Sequence, residues 1–275
     1  MIRKALLALS VIAVLVAWKI WSDTMSDPVI ERLVLTSDEL PAGSAPVTIA
    51  LVADIHMGGP DMPPERVAKI VAQANALGAD IIAIAGDLVS EKRSGTKVYT
   101  PQEVIAPLGG LEAPIGVALV PGNHDHWYDW PALSRELARF PQITVLQNEA
   151  LQFGPLALGG VDDDFTSHDD VPATLEAMYG LTGPRVILTH SPDIFPDLPA
   201  SITLVMAGHT HCGQIAYPWG GSPAQMSRYG NDFACGVVED DGKTLVTSSG
   251  LGTSILPLRL FTHPEIWLIE IRPAG

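Results

Sequence analysis

Five short apolar runs constrain this chain most: VTIALVA (47–53), DIIAIA (80–85), IGVALV (115–120), RVILT (185–189) and ITLVMA (202–207). Each is too short for a helix and continuous rather than alternating, the pattern of strands covered on both faces. Between the first two, PPERVAKIVAQANALG places Val67, Ile70, Val71, Ala74 and Leu77 on one helical stripe, with Pro64 at its start and Gly78 past its end. WPALSRELARF predicts a second helix with Leu133, Leu137 and Phe140 turned inward. FACGVVEDDGKTLVTSS carries a hairpin signal, and the alternating PEIWLIEIR closes the pattern. The expectation is an α/β or α+β sandwich over residues 47–271, without an internal boundary.

Each run gives way to polar residues of one chemical kind. Asp54 and His56 come after the first, Gly86-Asp87 after the second, and Gly122-Asn123-His124-Asp125 after the third. The fourth ends in His190 and the fifth in Gly208-His209-Thr210-His211. A sheet gathers the C-terminal ends of its strands, where α/β folds bind ligands. Carboxylate, imidazole and amide oxygen together suit a divalent metal such as Mn²⁺, Zn²⁺ or Fe. Strand-end geometry of period two predicts that Asp54 and His56, and likewise His209 and His211, point the same way. The same period turns Cys212 away from the site. Asp87, behind a permissive glycine, is the natural carboxylate to sit between two metals.

In this order the motifs DIH, GD, GNHD, a lone histidine and GHTH, spread over residues 54–211, resemble the calcineurin-like metallophosphoesterase superfamily. Further on, SRYG, SSGLGTSILPLR and PEIWLIEI resemble the tail of a membrane-associated bacterial branch, some members of which cleave phosphodiester or pyrophosphate bonds in lipid-sugar precursors. The resemblance implies a four-layer fold, two stacked mixed β-sheets flanked by helices. It implies that Asp54, His56 and His211 hold one metal, Asn123, His190 and His209 a second, and that Asp87 bridges them. His124 would stand near the phosphate, oriented by Asp125. Every motif position matches; Cys212 replaces a glycine often found there. The implied activity is a metal-dependent phosphoesterase with two divalent ions, Mn²⁺ first among the candidates. Two such ions clamp phosphoryl oxygens and activate a bridging hydroxide for in-line attack. His124 would then protonate the leaving oxygen, with its tautomer fixed by Asp125. A phosphodiester or pyrophosphate in a lipid or nucleotide-sugar-lipid substrate ranks first. A generic phosphomonoesterase and a non-catalytic metal-binding scaffold of the same fold are the alternatives.

The charge balance narrows the partners. With 31 Asp+Glu against 16 Lys+Arg, a net charge of −15 argues against a nucleic-acid duplex. The N-terminus is of another kind: Arg3 and Lys4 precede ALLALSVIAVLVAW, followed by Lys19 and Trp21. This reads as an N-terminal membrane helix over residues 1–22, an uncleaved anchor in preference to a signal peptide, since no small-x-small cleavage site follows. Basic residues before it, and Asp23 and Asp27 after it, predict a single-pass protein of a bacterial inner membrane with its body on the extracytoplasmic side. Residues 23–46, with Pro28, Pro41, Gly43 and Pro46, read as a linker in which VIERLVL is a candidate first strand. Cys212 and Cys235 either form one bridge or are two separate buried thiols. His126, His168 and His263 match no ligand motif, and DDDFTSHDD (162–170) lacks the offsets of a calcium loop and reads as a solvated loop at the site mouth. HWYDW, which follows His124-Asp125, either lines the pocket or dips into lipid, or else staples the next helix.

Overall fold

All five runs are strands. In a computed structural model that describes residues 2–90 and 94–274, helix α1 (Ile2–Met25) leads into β1 (Val29–Ser37), β2 (Val47–Val52), α2 (Pro64–Ala76) and β3 (Ile81–Ala85). Next come α3 (Pro101–Ile105), β4 (Gly116–Val120), α4 (Asn123–Tyr128), α5 (Trp130–Leu137) and β5 (Ile143–Val145). The chain then runs through β6 (Glu149–Phe153), β7 (Leu156–Gly160), α6 (Val171–Ala177), β8 (Arg185–Leu188) and β9 (Leu204–Ala207). The hairpin β10 (Gly236–Asp240) and β11 (Lys243–Thr247), and finally β12 (Glu265–Pro273), complete it.

Two six-stranded sheets result, ordered β1-β12-β2-β3-β4-β5 and β10-β11-β9-β8-β7-β6. Both are mixed: β2 to β5 are mutually parallel with β12 antiparallel to β2, while β7, β8, β9 and β11 are parallel with β6 and β10 as antiparallel edges. Alternate residues of one strand serve different cores, which explains the unbroken apolar runs. Ile49 and Leu51 of β2 face Leu158, Val186 and Leu204 of the second sheet, whereas Ala50 and Val52 face α2 through Val67, Ile70 and Val71. On the far side of the second sheet, Ile187, Val205 and Leu245 pack against Met178, Ile194 and Phe195. The layers are therefore helix, sheet, sheet, helix, as the motif resemblance implied.

Residues 29–37, within the stretch expected to be a linker, pair along their whole length in parallel with β12 at the edge of the first sheet. The helix before them stands apart from these layers. Of the residues of α1 only Asp23 and Thr24 are buried, and the helix is long and apolar enough to cross a membrane, with mean hydropathy 2.0. Its foot is tied to the body by directed hydrogen bonds. Asp23 Oδ2 accepts from Phe261 N at 2.9 Å, Thr24 Oγ1 accepts from Arg259 N at 2.7 Å, and the Arg66 guanidinium donates to the carbonyls of Thr24 and Ser26 at 2.9 and 3.0 Å.

Candidate metal centre

The polar groups that end β2, β3 and β4 meet those that end β8 and β9 where the two sheets face each other. Asp54 and His56 lie past β2, Asp87 past β3, Asn123 opens α4 past β4, His190 follows β8, and His209 and His211 follow β9; all seven are buried. Their spacing was expected to reflect strand-end alternation, and this is corrected by the backbone. Asp54, His56, Asp87, His209 and His211 all take positive φ, between 47° and 70°, so left-handed turns aim these side chains rather than a continuing pleat. That conformation is uncommon for non-glycine residues and costs about 1–3 kcal/mol each, a cost that persists where function fixes the geometry.

The donor atoms fall into two groups that share Asp87. On one side, His56 Nε2 and His211 Nε2 are 3.0 Å apart, and Asp54 Oδ1 lies 3.5 Å from the latter. On the other, His209 Nδ1 is 2.9 Å from Asn123 Oδ1 and 3.1 Å from His190 Nε2. Asp87 Oδ1 accepts from His124 N at 2.8 Å, which leaves Oδ2 at 3.3 Å from both His56 Nε2 and His190 Nε2. The Nδ1 of His190 sits 2.7 Å from the Ala85 carbonyl. That contact requires a proton on Nδ1 and so directs the Nε2 lone pair into the cluster.

The electrostatics fit cations. Burial pushes the Asp54 carboxyl up to about 7, with the negative charge of Asp87 adding to it. Burial also pushes His209 down to about 3, helped by His190, and holds His211 well below its usual value with His56 as the next cause. For Asp87 the balance runs the other way: the charges of His190, His124 and His56 outweigh desolvation and hold it well below the carboxylate range. Against burial, the carboxylates of Asp87 and Asp54 hold His190 well above its usual value, so its proton must leave for the cluster to bind metal, whereas His209 and His211 are already neutral. Asp54, His56 and His211, and also Asp54, Asp87 and His190, are each close enough to hold one ion; His124 with His56 and Asp87 forms a third such set.

A family model for calcineurin-like phosphoesterases matches residues 47–213, which contain all of these groups. The chain belongs to the calcineurin-like phosphoesterase family. It is 28% identical over 263 residues to an uncharacterized metallophosphoesterase of Helicobacter pylori strain J99, covering 93% of this chain and 67% of that protein. It is 28% identical over 292 residues to a zebrafish (Danio rerio) transmembrane protein with a metallophosphoesterase domain, covering 99% of this chain and 63% of that protein. A crystal structure of TT1561 from Thermus thermophilus aligns with 75% of this chain and 90% of its own at 15% identity, with a TM-score of 0.47.

In this calcineurin-like phosphoesterase the sequence motifs also placed His124 and Asp125, and here the structure separates them. His124 stands at the cluster, its ring 4.8 Å from that of His56 and its Nε2 3.3 Å from Ser254 Oγ. Its Nδ1 has no hydrogen-bond partner, so Asp125 does not orient it. The Asp125 carboxylate instead accepts from the backbone N–H groups of Leu88 at 2.8 Å, Val89 at 3.3 Å and Gly122 at 3.0 Å. As the third residue of α4 it folds back to cap that helix and to hold the loop behind Asp87.

A cavity of about 550 Å³ opens over the cluster, lined by Asp87, Asn123, His124, His209 and His211 on its floor and by apolar side chains on its wall. Trp127 and Phe165 belong to that wall, whereas the Tyr128 hydroxyl donates to the Tyr99 carbonyl and Trp130 packs in the core. HWYDW therefore divides between pocket and core. His126 bonds Asp162 at 2.7 Å and stacks on His168, away from the cavity lining. Cys212 is joined to Cys235 in a disulfide and is no ligand.

Arg259 was not singled out in the sequence. It is fully buried, and its guanidinium donates to the carbonyls of Ser249 at 2.7 Å, Gly250 at 3.1 Å and Gly252 at 2.6 Å. The backbone N–H groups of Leu251 and Gly252 in that loop donate to the Asp54 carbonyl at 3.2 and 2.7 Å. Arg259 thus braces the loop that holds the Asp54 segment of the candidate centre. Only an arginine behind an apolar LPL was visible in the sequence, and that carries no such signal.

Proposed function

We propose that this chain is a membrane-anchored enzyme that hydrolyses a phosphodiester or pyrophosphate bond in a lipid-linked substrate. The observation that carries the reading is Asp87 Oδ2 equidistant from His56 and His190, with a ligand group on either side of it. Asp54, His56 and His211 would hold one divalent cation, Asn123, His190 and His209 a second, and Asp87 would contact both. The mixed N/O set favours Mn²⁺, with Zn²⁺ and Fe as the alternatives. Such ions supply Lewis-acid polarisation of the phosphoryl oxygens and lower the pKa of water.

The remaining work falls to this chain's own side chains. His124 faces the cavity with Nε2 near Ser254 and gives a proton to the leaving oxygen. Burial keeps the His209 and His211 imidazoles of the floor neutral, and the apolar wall formed by Trp127 and Phe165 holds the non-phosphate part of the substrate. Residues 1–22 serve as the anchor, residues 23–46 connect it, and residues 47–271 form the catalytic domain. The disulfide supports an oxidising, extracytoplasmic location for that domain, on the outer face of a bacterial inner membrane. The transmembrane relative supports the anchor.

Chelation followed by refilling with Mn²⁺ tests the reading on bis-p-nitrophenyl phosphate and on the p-nitrophenyl monoester. Diester turnover should vanish and return with the metal. The His124→Ala variant should keep its metal yet lose about 10²–10⁴-fold in turnover. Activity that survives chelation would refute the metal-dependent reading, and turnover of the monoester alone would refute the diester assignment.

A further inference from the structure

Two loops border the cavity on the side where α1 meets the body, and Gln214 laces them together. Its carbonyl accepts from Leu260 N at 3.1 Å and Thr262 Oγ1 at 2.7 Å, and its side chain donates to Leu256 O at 3.0 Å and accepts from Ser254 N at 2.8 Å. Ile215, Ile255 and Leu256 stand on the cavity wall. Tyr217, Trp219 and Phe261 continue the apolar surface, Trp219 with 80% of its area exposed and Ile255 with 50%. Ile255 and Phe261 hold φ of 57° and 59°, left-handed conformations that bulky side chains avoid, although both side chains are left substantially in solvent. Scattered exposed apolar residues need no explanation, but a contiguous patch beside a site marks an interaction surface.

The patch continues to the foot of α1. Lys19 Nζ lies 5.3 Å from the centre of the Phe261 ring, and one cavity of about 550 Å³ is lined jointly by Lys19, Tyr217, Pro218 and Phe261. Trp18 and Trp21 flank Lys19 on the helix and are 65% and 58% exposed. Tryptophans at the end of an apolar span sit at the level of the lipid headgroups, which puts Phe261 and Tyr217 at that depth as well. Charge agrees with this placement. The chain has 31 Asp and Glu, yet neither 213–231 nor 242–264 contains one. Carboxylates are repelled by an anionic bilayer surface, and these two stretches carry none to be repelled.

We infer that Ile215, Tyr217, Trp219, Ile255, Leu256 and Phe261 form a rim that dips into the headgroup–acyl boundary of the leaflet adjoining the foot of α1. The cavity over the metal centre then opens onto the membrane surface. This rests on reading α1 as an anchor. An amphiphilic phosphoester reaches the centre from the side, its phosphate entering the polar floor while its apolar part stays in the leaflet. A water-soluble phosphoester would have no use for such a rim.

Single nitroxide labels test this without reference to turnover. Because the two native cysteines are joined, Leu9→Cys, Trp219→Cys, Ile255→Cys and Tyr179→Cys each offer one reactive thiol in the full chain. The labelled chains are placed in vesicles of phosphatidylethanolamine and phosphatidylglycerol, and collision with oxygen is compared with collision with a soluble nickel chelate. Labels at Trp219 and Ile255 should shift toward oxygen as Leu9 does, while Tyr179, 89% exposed beyond α6, should favour nickel. Rim labels that behave like Tyr179 while Leu9 remains in lipid overturn the docking and leave the anchor standing. A Leu9 label in water overturns both. Rim labels shielded from both probes would assign the surface to a second copy of the chain and overturn the docking too.

Discussion

Glycines at the ends of the strands decide how closely the proposed ligands can approach. A Cβ on Gly208 would collide with Oδ2 of Asp54 and lie 2.7 Å from the Cβ of Ala53, and one on Gly122 would collide with Oδ1 of Asp87. The Asp54 carboxylate cannot swing clear, because both its oxygens accept from His209 N at 3.0 Å. Gly208→Ala should therefore leave the fold intact by circular dichroism while weakening metal binding about 10–100-fold, the usual loss when the support behind a ligand is removed. Wild-type affinity in that variant, measured by metal titration, would show that the close approach is dispensable. Which residues gather here was legible in the sequence, since the ligand types recur in order after buried strands. Their left-handed backbone was not: nothing in Asp-Ile-His or His-Thr-His marks positive φ, and strand alternation gives the same facing for the wrong reason. Asp125 was misread on the same scale. Adjacency to His124 suggested a partner, but the unpaired N–H groups of a helix start and of the loop at Leu88 compete for a carboxylate at that position.

Among the elements, the helices at 64–76 and 130–137 and the five buried strands announced themselves by periodicity, while β5, β6, β7 and α6 did not. The β7 segment LALGG ends in Gly159 and Gly160, poor strand formers that sit there because side chains of Leu146 and Thr174 fill the space a Cβ would need. The disulfide could only be offered as one of two alternatives, because pairing depends on a fold that brings positions 212 and 235 to a Cα separation of 4.8 Å. It fastens the segment directly after His211 to the residue before β10. A crosslink closing a sequence separation of 23 residues contributes about 3 kcal/mol through the entropy of the unfolded chain. The double variant Cys212→Ser/Cys235→Ser should lose stability of that order in chemical denaturation. A change near zero would mean that the hydrogen bonds of the 210–235 region hold it unaided.

At the scale of the whole molecule, the centre exists only where two sheets meet. β2, β3 and β4 deliver Asp54, His56, Asp87 and Asn123, and β8 and β9 deliver His190, His209 and His211, so neither sheet alone carries the whole proposed ligand set. The body that builds this seam is acidic overall, yet it keeps carboxylates out of 213–231 and 242–264, the stretches that hold Tyr217, Trp219, Ile255 and Phe261. The same region runs through Arg259, whose backbone N–H is held by Thr24 and whose guanidinium braces the loop against Asp54. The foot of the apolar helix and the loop behind Asp54 are thus joined through one residue. The central claim is that Asp87 is shared between two cations at this seam. Anomalous scattering from crystals of the Mn²⁺-loaded protein measures it directly. Two peaks should appear, one between Asp87 and the His56–His211 pair and one between Asp87 and the His190–His209 pair; a single peak, or peaks away from Asp87, would contradict the account.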